Sequence, residues 1–224
     1  MELVGLAHPG PDNLNAAPTE TIVVLRLDEV GSPQLVAMRW WLTPRWAKEM
    51  PTRYSMFNAK SETLHSSPAF REPFRSRRCV VPVCGFYEWA RSAGHKLPYY
   101  IHAAKAPGLL LAGIWDHWQD PHTGEGLDSF AVLTTPANAG LAFVHHRQPV
   151  LLAPHDARRW MDPQTPRTDL QPLLGSMLPM PLQVLPVSSW VNDARHKDGR
   201  CMQGVAEPVE VVDEPVGDRS GDGS

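Results

Sequence analysis

Cysteine is scarce in this 224-residue sequence, which holds only Cys79, Cys84 and Cys201. Three cysteines without a CxxC pair are too few for a disulfide framework or a zinc ribbon, so the sequence indicates neither. Sparse, unpaired cysteine is typical of a reducing compartment. We therefore expect a cytoplasmic protein.

Long apolar runs are also missing. No run approaches the roughly 18 consecutive apolar residues that a membrane-spanning helix needs, and the N-terminus has no basic segment followed by an apolar stretch. These absences predict a protein that neither spans a membrane nor is exported. From Glu207 the chain turns to acidic residues, glycine, serine and proline. This predicts a single domain over residues 1–206 and a disordered acidic tail over residues 207–224.

A surplus of positive charge is missing too, since the formal net charge is -3, which argues at first against a nucleic-acid partner. The basic residues are nevertheless concentrated. Residues 39–105 hold twelve Lys or Arg against four acids, a local charge of +8, together with many aromatic residues. Single-stranded nucleic acid favours this mixture through stacking and backbone attraction, although a solvated face over an aromatic core is the alternative. The candidate contacts in this stretch are Arg39, Trp40, Trp46, Arg77 and Arg78.

Short β-type runs dominate the chain, and helical signals are few. Ser66, Ser67 and Pro68 predict a helix start, with the helix reaching about Arg77, and two more helices are predicted at 154–161 and 168–174. Strands and helices do not alternate as in a parallel sheet. We predict an α+β fold with a curled antiparallel sheet, whose strands are 21–27, 35–40, 79–83, 86–90, 98–102, 109–115, 130–134, 149–152 and 183–187.

Glu88 is the first candidate for proton chemistry, because it lies between Tyr87 and Trp89 in a predicted strand. A carboxylate held between two aromatic rings is partly desolvated, which favours a pKa suited to proton transfer. The alternative is that strand alternation turns Glu88 to solvent while both rings face the core. The residues alone leave both interpretations open.

His145 and Arg147 form a second candidate site beside a proline-containing strand. Histidine titrates near neutral pH, so His145 suits a general acid or base, with an ordinary hydrogen-bonded histidine as the alternative. Arg147 suits either a phosphate or carboxylate clamp or a surface salt bridge. The adjacent His146 cannot share a strand face with His145, so the pair is a poor metal chelate. We expect no metal and no cofactor.

Six segments occur in the order of a known family signature. They are LNAAPT at 14–19, RWWLTPRW at 39–46, NAKSET at 58–63, GFYEW at 85–89, LTTPAN at 133–138 and HHRQPV at 145–150. Together they make the chain resemble the SRAP (SOS response-associated peptidase) family over about residues 14–206. The resemblance implies a β-rich, barrel-like α+β domain flanked by a few helices, whose positive groove holds single-stranded DNA with abasic sites. It also implies association with the nucleoid on DNA damage, and we expect a monomer.

The resemblance further implies covalent chemistry. In the family, removal of the initiator methionine exposes a cysteine whose α-amine forms a Schiff base with the abasic sugar aldehyde, and whose thiol then closes a thiazolidine. Autoproteolytic and lyase activities accompany this crosslink. By motif, Asn58 orients the amine end, Glu88 shuttles protons, and His145 assists ring opening and reversal. Lys60, Thr134 and Arg147 contact DNA or the lesion.

Position 2 departs from the family, because this sequence has Glu2 where the family has cysteine, and the family's N-terminal strand is missing or divergent. Cys79 and Cys84 cannot form a thiazolidine, since their amines are in peptide bonds. One explanation is a true start upstream; the other is a lineage that binds lesions without a covalent link. Two further alternatives are a free α-amine that nicks DNA by β-elimination and a cysteine protease that uses Cys84 and His145.

Overall fold

The computed structural model describes residues 13–50, 54–92 and 94–213. Its centre is a closed barrel of five strands, in which each strand pairs with the next and the last pairs with the first. These strands are β1 (Thr21–Leu27), β2 (Pro33–Trp40), β4 (Arg78–Val83), β7 (Leu109–Gln119) and β8 (Gly126–Pro136).

Strand β8 closes the barrel and carries the strands of the site. It pairs antiparallel with β7 and parallel with β2, and its other end pairs with β3 (Asn58–Lys60) and β9 (Arg147–Pro149). Seven consecutive residues of β8, from Ser129 to Thr135, are buried, because its central position leaves neither face to solvent. The predicted α+β barrel-like fold is confirmed, although the parallel pairings of β8 make its sheet mixed.

A second sheet packs against the barrel. Its order is β11-β10-β6-β5, with β5 at Gly85–Ser92, β6 at His95–Ala103, β10 at Leu182–Pro186 and β11 at Val209–Val211. The predicted disordered tail is therefore wrong at its beginning, because residues 209–211 pair with β10 in antiparallel register. The rest of that tail, residues 214–224, lies outside the described residues.

Three short helices cover one end of the barrel. They are α1 (Arg71–Ser76), α2 (Pro154–Met161) and α3 (Arg167–Leu170), the last continued by a 3₁₀ turn at Gln171–Leu174. The fully buried Trp160 of α2 packs on Phe74 of α1 within a core cluster that joins the helices to the barrel strands. No helix within the described part of the chain is both long and apolar enough to cross a membrane.

Candidate functional site

Glu88 and His145 face each other in the structure. Strand alternation in β5 turns Tyr87 and Trp89 onto a small apolar cluster around Tyr100, and it turns Glu88 to the opposite face. There Glu88 Oε2 lies 3.7 Å from His145 Nδ1, and the two side chains are 28% and 36% exposed. Glu88 therefore faces neither the core nor open solvent, but a half-buried surface that it shares with His145. At this distance a proton passes between the two groups through one bridging water or after a small approach of the side chains.

The ring of His145 is held by its own neighbouring backbone. Its Nδ1 lies 3.3 Å from the backbone nitrogen of Arg147, which can donate to it, and 3.2 Å from the carbonyl oxygen of Arg147. When Nδ1 is unprotonated it accepts from that N–H, and when it is protonated it can donate to the carbonyl, whereas Glu88 Oε2 at 3.7 Å is beyond hydrogen-bond distance. His145 therefore has partners in both protonation states. Its Nε2 makes no hydrogen bond with any residue that the structure describes, which leaves this nitrogen for a ligand.

Arg147 is anchored rather than free. Its guanidinium donates to both carboxylate oxygens of Glu62, at 2.7 and 2.9 Å, and to the hydroxyl and carbonyl oxygens of Thr134. The hydrogen bonds from Arg147 hold the pKa of Glu62 well below its usual range, at about 2. Sequence reasoning assigned no role to Glu62, although it belongs to the NAKSET motif beside Asn58 and Lys60. Most donors of Arg147 are already used, so its backbone contacts with His145 give it a positioning role.

Asn58 and Lys60 lie beside this cluster on the short strand β3. In the parallel pairing with β8, Lys60 is opposite Thr134 and Asn58 is opposite Val132. The two side chains are two residues apart, so they point to the same side of the strand. Both are exposed, and neither forms a side-chain hydrogen bond or ion pair within the described ranges. An amide and an ammonium group are thus left available to a ligand next to Thr134 and Arg147.

The sequence of this chain matches a known protein family. The model of the SOS response associated peptidase (SRAP) matches residues 6–194. The chain belongs to the SRAP family. The abasic site processing protein YoqW of Bacillus subtilis is 33% identical over 201 residues, which cover 89% of this chain and 88% of that protein. The abasic site processing protein HMCES of Xenopus tropicalis is 32% identical, over 76% of this chain and 57% of that protein.

Solved structures agree with the SRAP assignment at the level of the fold. A protein from Bacteroides thetaiotaomicron superposes with a TM-score of 0.75 at 24% identity, covering 84% of this chain and 82% of the other. A phage-related protein from Bordetella bronchiseptica superposes with a TM-score of 0.56 at 32% identity, covering 71% of this chain and 73% of the other. The family resemblance carried by the sequence motifs is confirmed.

The aromatic candidates for DNA contact differ in exposure. Trp46 is 61% exposed and offers a stacking surface. Trp40 is half-buried, stacks on Phe130, and donates its indole N–H to the carbonyl of Phe57 at 2.9 Å. Arg39 is half-buried, and its Nε has no acceptor among the residues that the structure describes. Of these three candidates, Trp46 is the one whose ring is open to a base.

Two arginines predicted to contact DNA have other roles in this SRAP domain. The prediction is wrong for Arg78, which is 2% exposed and donates to the backbone carbonyls of Phe74, Arg75, Trp160 and Asp162. It therefore ties α1 to α2 from within. The side chain of Arg77 is 14% exposed and pairs with Asp116, with 3.1 Å between Nε and Oδ1. This contact argues against a phosphate contact by Arg77.

Asp116 is a buried acid that sequence reasoning missed. It lies on β7 with 1% exposure, pairs with the guanidinium groups of Arg45 and Arg77, and accepts the backbone N–H of Arg45. Its signal in the sequence is an acid inside the apolar run Ile114-Trp115-Asp116-His117-Trp118, where burial requires cationic partners. The network fixes the loop that carries Trp46, immediately after Arg45.

Proposed function

We propose that this chain binds single-stranded DNA and processes abasic sites in it. The observation that carries the proposal is the 3.7 Å pair of Glu88 and His145, at the positions where the SRAP motifs have their acidic residue and histidine. Asn58 and Lys60 support it, because they lie exposed on β3, which pairs with the β8 strand that carries Thr134, and their side chains have no partner among the described residues. The proposed contacts with DNA are those of Trp46 with a base and of Lys60 with a phosphate.

The proposed proton transfers follow from the chemistry of the lesion. An abasic sugar opens when its anomeric hydroxyl loses a proton and its ring oxygen gains one, which yields an aldehyde. An amine then adds to the aldehyde carbon, and water leaves to give an imine. The hydroxyl that leaves as water must be protonated, and a carboxyl group beside an imidazole can supply and recover that proton. Glu88 has the role of proton shuttle and His145 that of acid and base at the sugar, with Asn58 orienting the amine.

The crosslinking step requires an N-terminal cysteine. Its thiol adds to the imine carbon and its proton passes to the nitrogen, so that a thiazolidine ring joins protein and DNA. Position 2 of this sequence is glutamate, so we propose this step for a chain that begins Met-Cys, with removal of the methionine as the peptidase activity. Without the thiol, the imine of a free α-amine leads instead to β-elimination, which is the proposed lyase activity.

The test is a denaturing-gel assay with single-stranded DNA that contains one abasic site. The present chain is compared with a version extended at its N-terminus by Met-Cys-Gly-Arg, and borohydride is added in parallel to trap any imine. We expect a heat-stable adduct with the extended version. Glu88→Gln and His145→Ala in that version are expected to slow adduct formation about 10²-fold or more.

Matched controls are Glu125→Gln and His155→Ala, which change an exposed acid and an exposed histidine elsewhere. Both controls are expected to react like the parent. If Glu88→Gln and His145→Ala react as fast as these controls, the assignment of proton-transfer roles is wrong. If no version forms an adduct or a trapped imine, abasic-site chemistry is excluded for this chain.

A non-covalent role is the second candidate, and the exposed Trp46 and Lys60 favour it, because stacking and phosphate contacts hold a single strand without a covalent link. In that case the chain shields the lesion by stacking and phosphate contacts alone. It then shifts single-stranded DNA on a native gel without forming any adduct, whichever N-terminus is used.

A further inference from the structure

A cavity of about 450 Å³ lies between α1 and α3, outside the site described above. Its wall carries the guanidinium groups of Arg71, Arg75 and Arg167, and its lining includes one acidic residue, Glu72. The buried Arg78 also lines the cavity, and its donors are directed to backbone carbonyls. The cavity is therefore strongly cationic.

The three guanidinium groups at the rim are available for a ligand. Arg71, Arg75 and Arg167 are exposed, and none forms an ion pair or side-chain hydrogen bond with a residue in the described ranges. By contrast, Arg77 and Arg147 are held by carboxylates. Like charges gathered around one concavity repel each other, and an anion placed among them relieves that repulsion. Guanidinium groups match the oxygen geometry of phosphate well.

His65 lines the same cavity, so its pKa can report whether an anion is bound there. Its ring packs edge-on against Phe74, with 5.1 Å between ring centroids. Burial and, after it, the positive charge of Arg167 lower the pKa of His65, while a hydrogen bond with Gln171 opposes them. Arg71, Arg75, Arg78 and Glu72 are the other charged groups around the cavity. An anion bound there must raise the pKa of His65, because it favours the charged imidazolium.

We propose that this cavity binds a phosphate group, and that in the working protein the phosphate belongs to the backbone of the DNA strand held at the Glu88–His145 site. His65 is five positions after Lys60, so their Cα atoms lie within about 17 Å of each other and a single strand can reach both. The source of the phosphate rests on the proposed function, whereas the anion chemistry of the cavity does not. The cavity thus extends the footprint of the strand beyond the lesion.

The first experiment uses inorganic phosphate as the probe. The pKa of His65 is measured by NMR in phosphate and in chloride at equal ionic strength, with the signal of His65 identified from a His65→Gln variant. We expect phosphate to raise this pKa by about 0.5 to 1 unit in the parent. The rise is expected to shrink by half or more in Arg75→Gln and to remain in Arg91→Gln, a matched neutralisation of an exposed arginine outside the cavity. An unchanged pKa of His65 in phosphate overturns the proposal.

The second experiment decides the source of the phosphate. The affinity for an undamaged single-stranded oligonucleotide is measured by fluorescence anisotropy at several salt concentrations. Each phosphate contact adds about 0.7 to the slope of log K against log salt, so Arg75→Gln is expected to lose about that much while Arg91→Gln loses nothing. Equal slopes in the two variants, together with a phosphate-dependent pKa of His65, overturn the DNA source and leave a site for free phosphate. Failure of the parent to bind DNA overturns the proposed function separately, whatever His65 does.

Discussion

At the scale of single residues, the site is organised around Arg147. Its side chain is fixed by Glu62 and Thr134, while its backbone nitrogen and carbonyl oxygen flank His145 Nδ1. Fixing the guanidinium therefore also limits the backbone that holds the catalytic candidate. From the sequence, this arginine was expected either to bind a phosphate or carboxylate group or to form a surface salt bridge. In the structure Arg147 forms a salt bridge with Glu62, and the backbone of the arginine that is held in this way contacts His145.

The pair of Glu62 and Arg147 predicts a pH dependence of stability. The pKa of Glu62 is about 2 in the folded chain, against about 4.3 for an unfolded glutamate, so the pair stabilises the fold above about pH 4.3 and loses this effect as the pH falls toward 2. The side chain of Glu62 is 47% exposed, so the contribution is screened and amounts to about 1 kcal/mol or less. The free energy of unfolding, measured by urea denaturation, is expected to be lower in Glu62→Gln at pH 6, and this difference to shrink steadily between about pH 4.3 and about pH 2.5.

The control for this titration is Glu29→Gln, which neutralises an exposed glutamate with no ion pair in the described part of the chain. Its difference from the parent is expected to stay near zero across the same pH range. A difference for Glu62→Gln that does not change with pH contradicts the ion-pair explanation.

Arg78 illustrates a residue whose role only the fold reveals. Replacing it by methionine leaves four backbone carbonyls of α1 and α2 without donors in a buried region. We expect Arg78→Met to lower the free energy of unfolding by about 3 to 5 kcal/mol in urea denaturation. The neighbouring exposed Arg75 provides the control, since Arg75→Gln is expected to change stability by less than about 0.5 kcal/mol. Equal stabilities of the two variants would contradict the tie between the helices.

At the scale of secondary structure, the sequence predicted the elements with strong local signals. Helix α2 begins and ends as predicted, because Pro154 marks its first turn and its apolar residues recur at helical spacing. The three-residue strands β3, β9 and β11 have too few residues for alternation to stand out. The parallel pairing of β8 with β2 and β3 was also missed, since register between distant strands is a property of the assembled sheet.

The contacts of strand β11 predict that stability falls once the chain is shortened past this strand. Val211 is buried against the second core cluster, and Asp213 accepts hydrogen bonds from Asn138 Nδ2 at 2.6 Å and from the backbone of Leu178 at 3.0 Å. A chain that ends at Pro208 is expected to lose about 2 to 4 kcal/mol of unfolding free energy, from one buried valine and these contacts. A chain that ends at Asp213 is the control, and we expect it to unfold like the parent. If both truncations unfold like the parent, β11 does not stabilise the second sheet.

At the scale of the whole molecule, the sequence motifs predicted the family and singled out Glu88 and His145, but not the distance between these two residues. Glu88 and His145 are 57 residues apart in the chain; Glu88 lies on β5 of the second sheet and His145 in the loop before β9, so their 3.7 Å approach depends on how the second sheet packs on the barrel. The number of basic side chains available to phosphate likewise depends on the fold. Of the twelve basic residues in the +8 stretch, Arg78 is buried and Arg77 pairs with Asp116, so fewer groups remain for phosphate than the sequence suggested.

This reduced set of cations predicts a moderate salt dependence of DNA binding. The overall charge of -3 matters little, because charges farther away than about 10 Å are screened at 0.1 M salt and only the groups near the strand count. With about four phosphate contacts, affinity for a short single strand is expected to fall roughly 50-fold between 50 and 200 mM salt. Lys60→Gln is expected to reduce the slope of log K against log salt by about 0.7, and Lys105→Gln, an exposed lysine between β6 and β7, to leave it unchanged. Anisotropy titrations with an undamaged oligonucleotide measure both slopes, and a parent slope near zero would mean that phosphate contacts do not hold the strand.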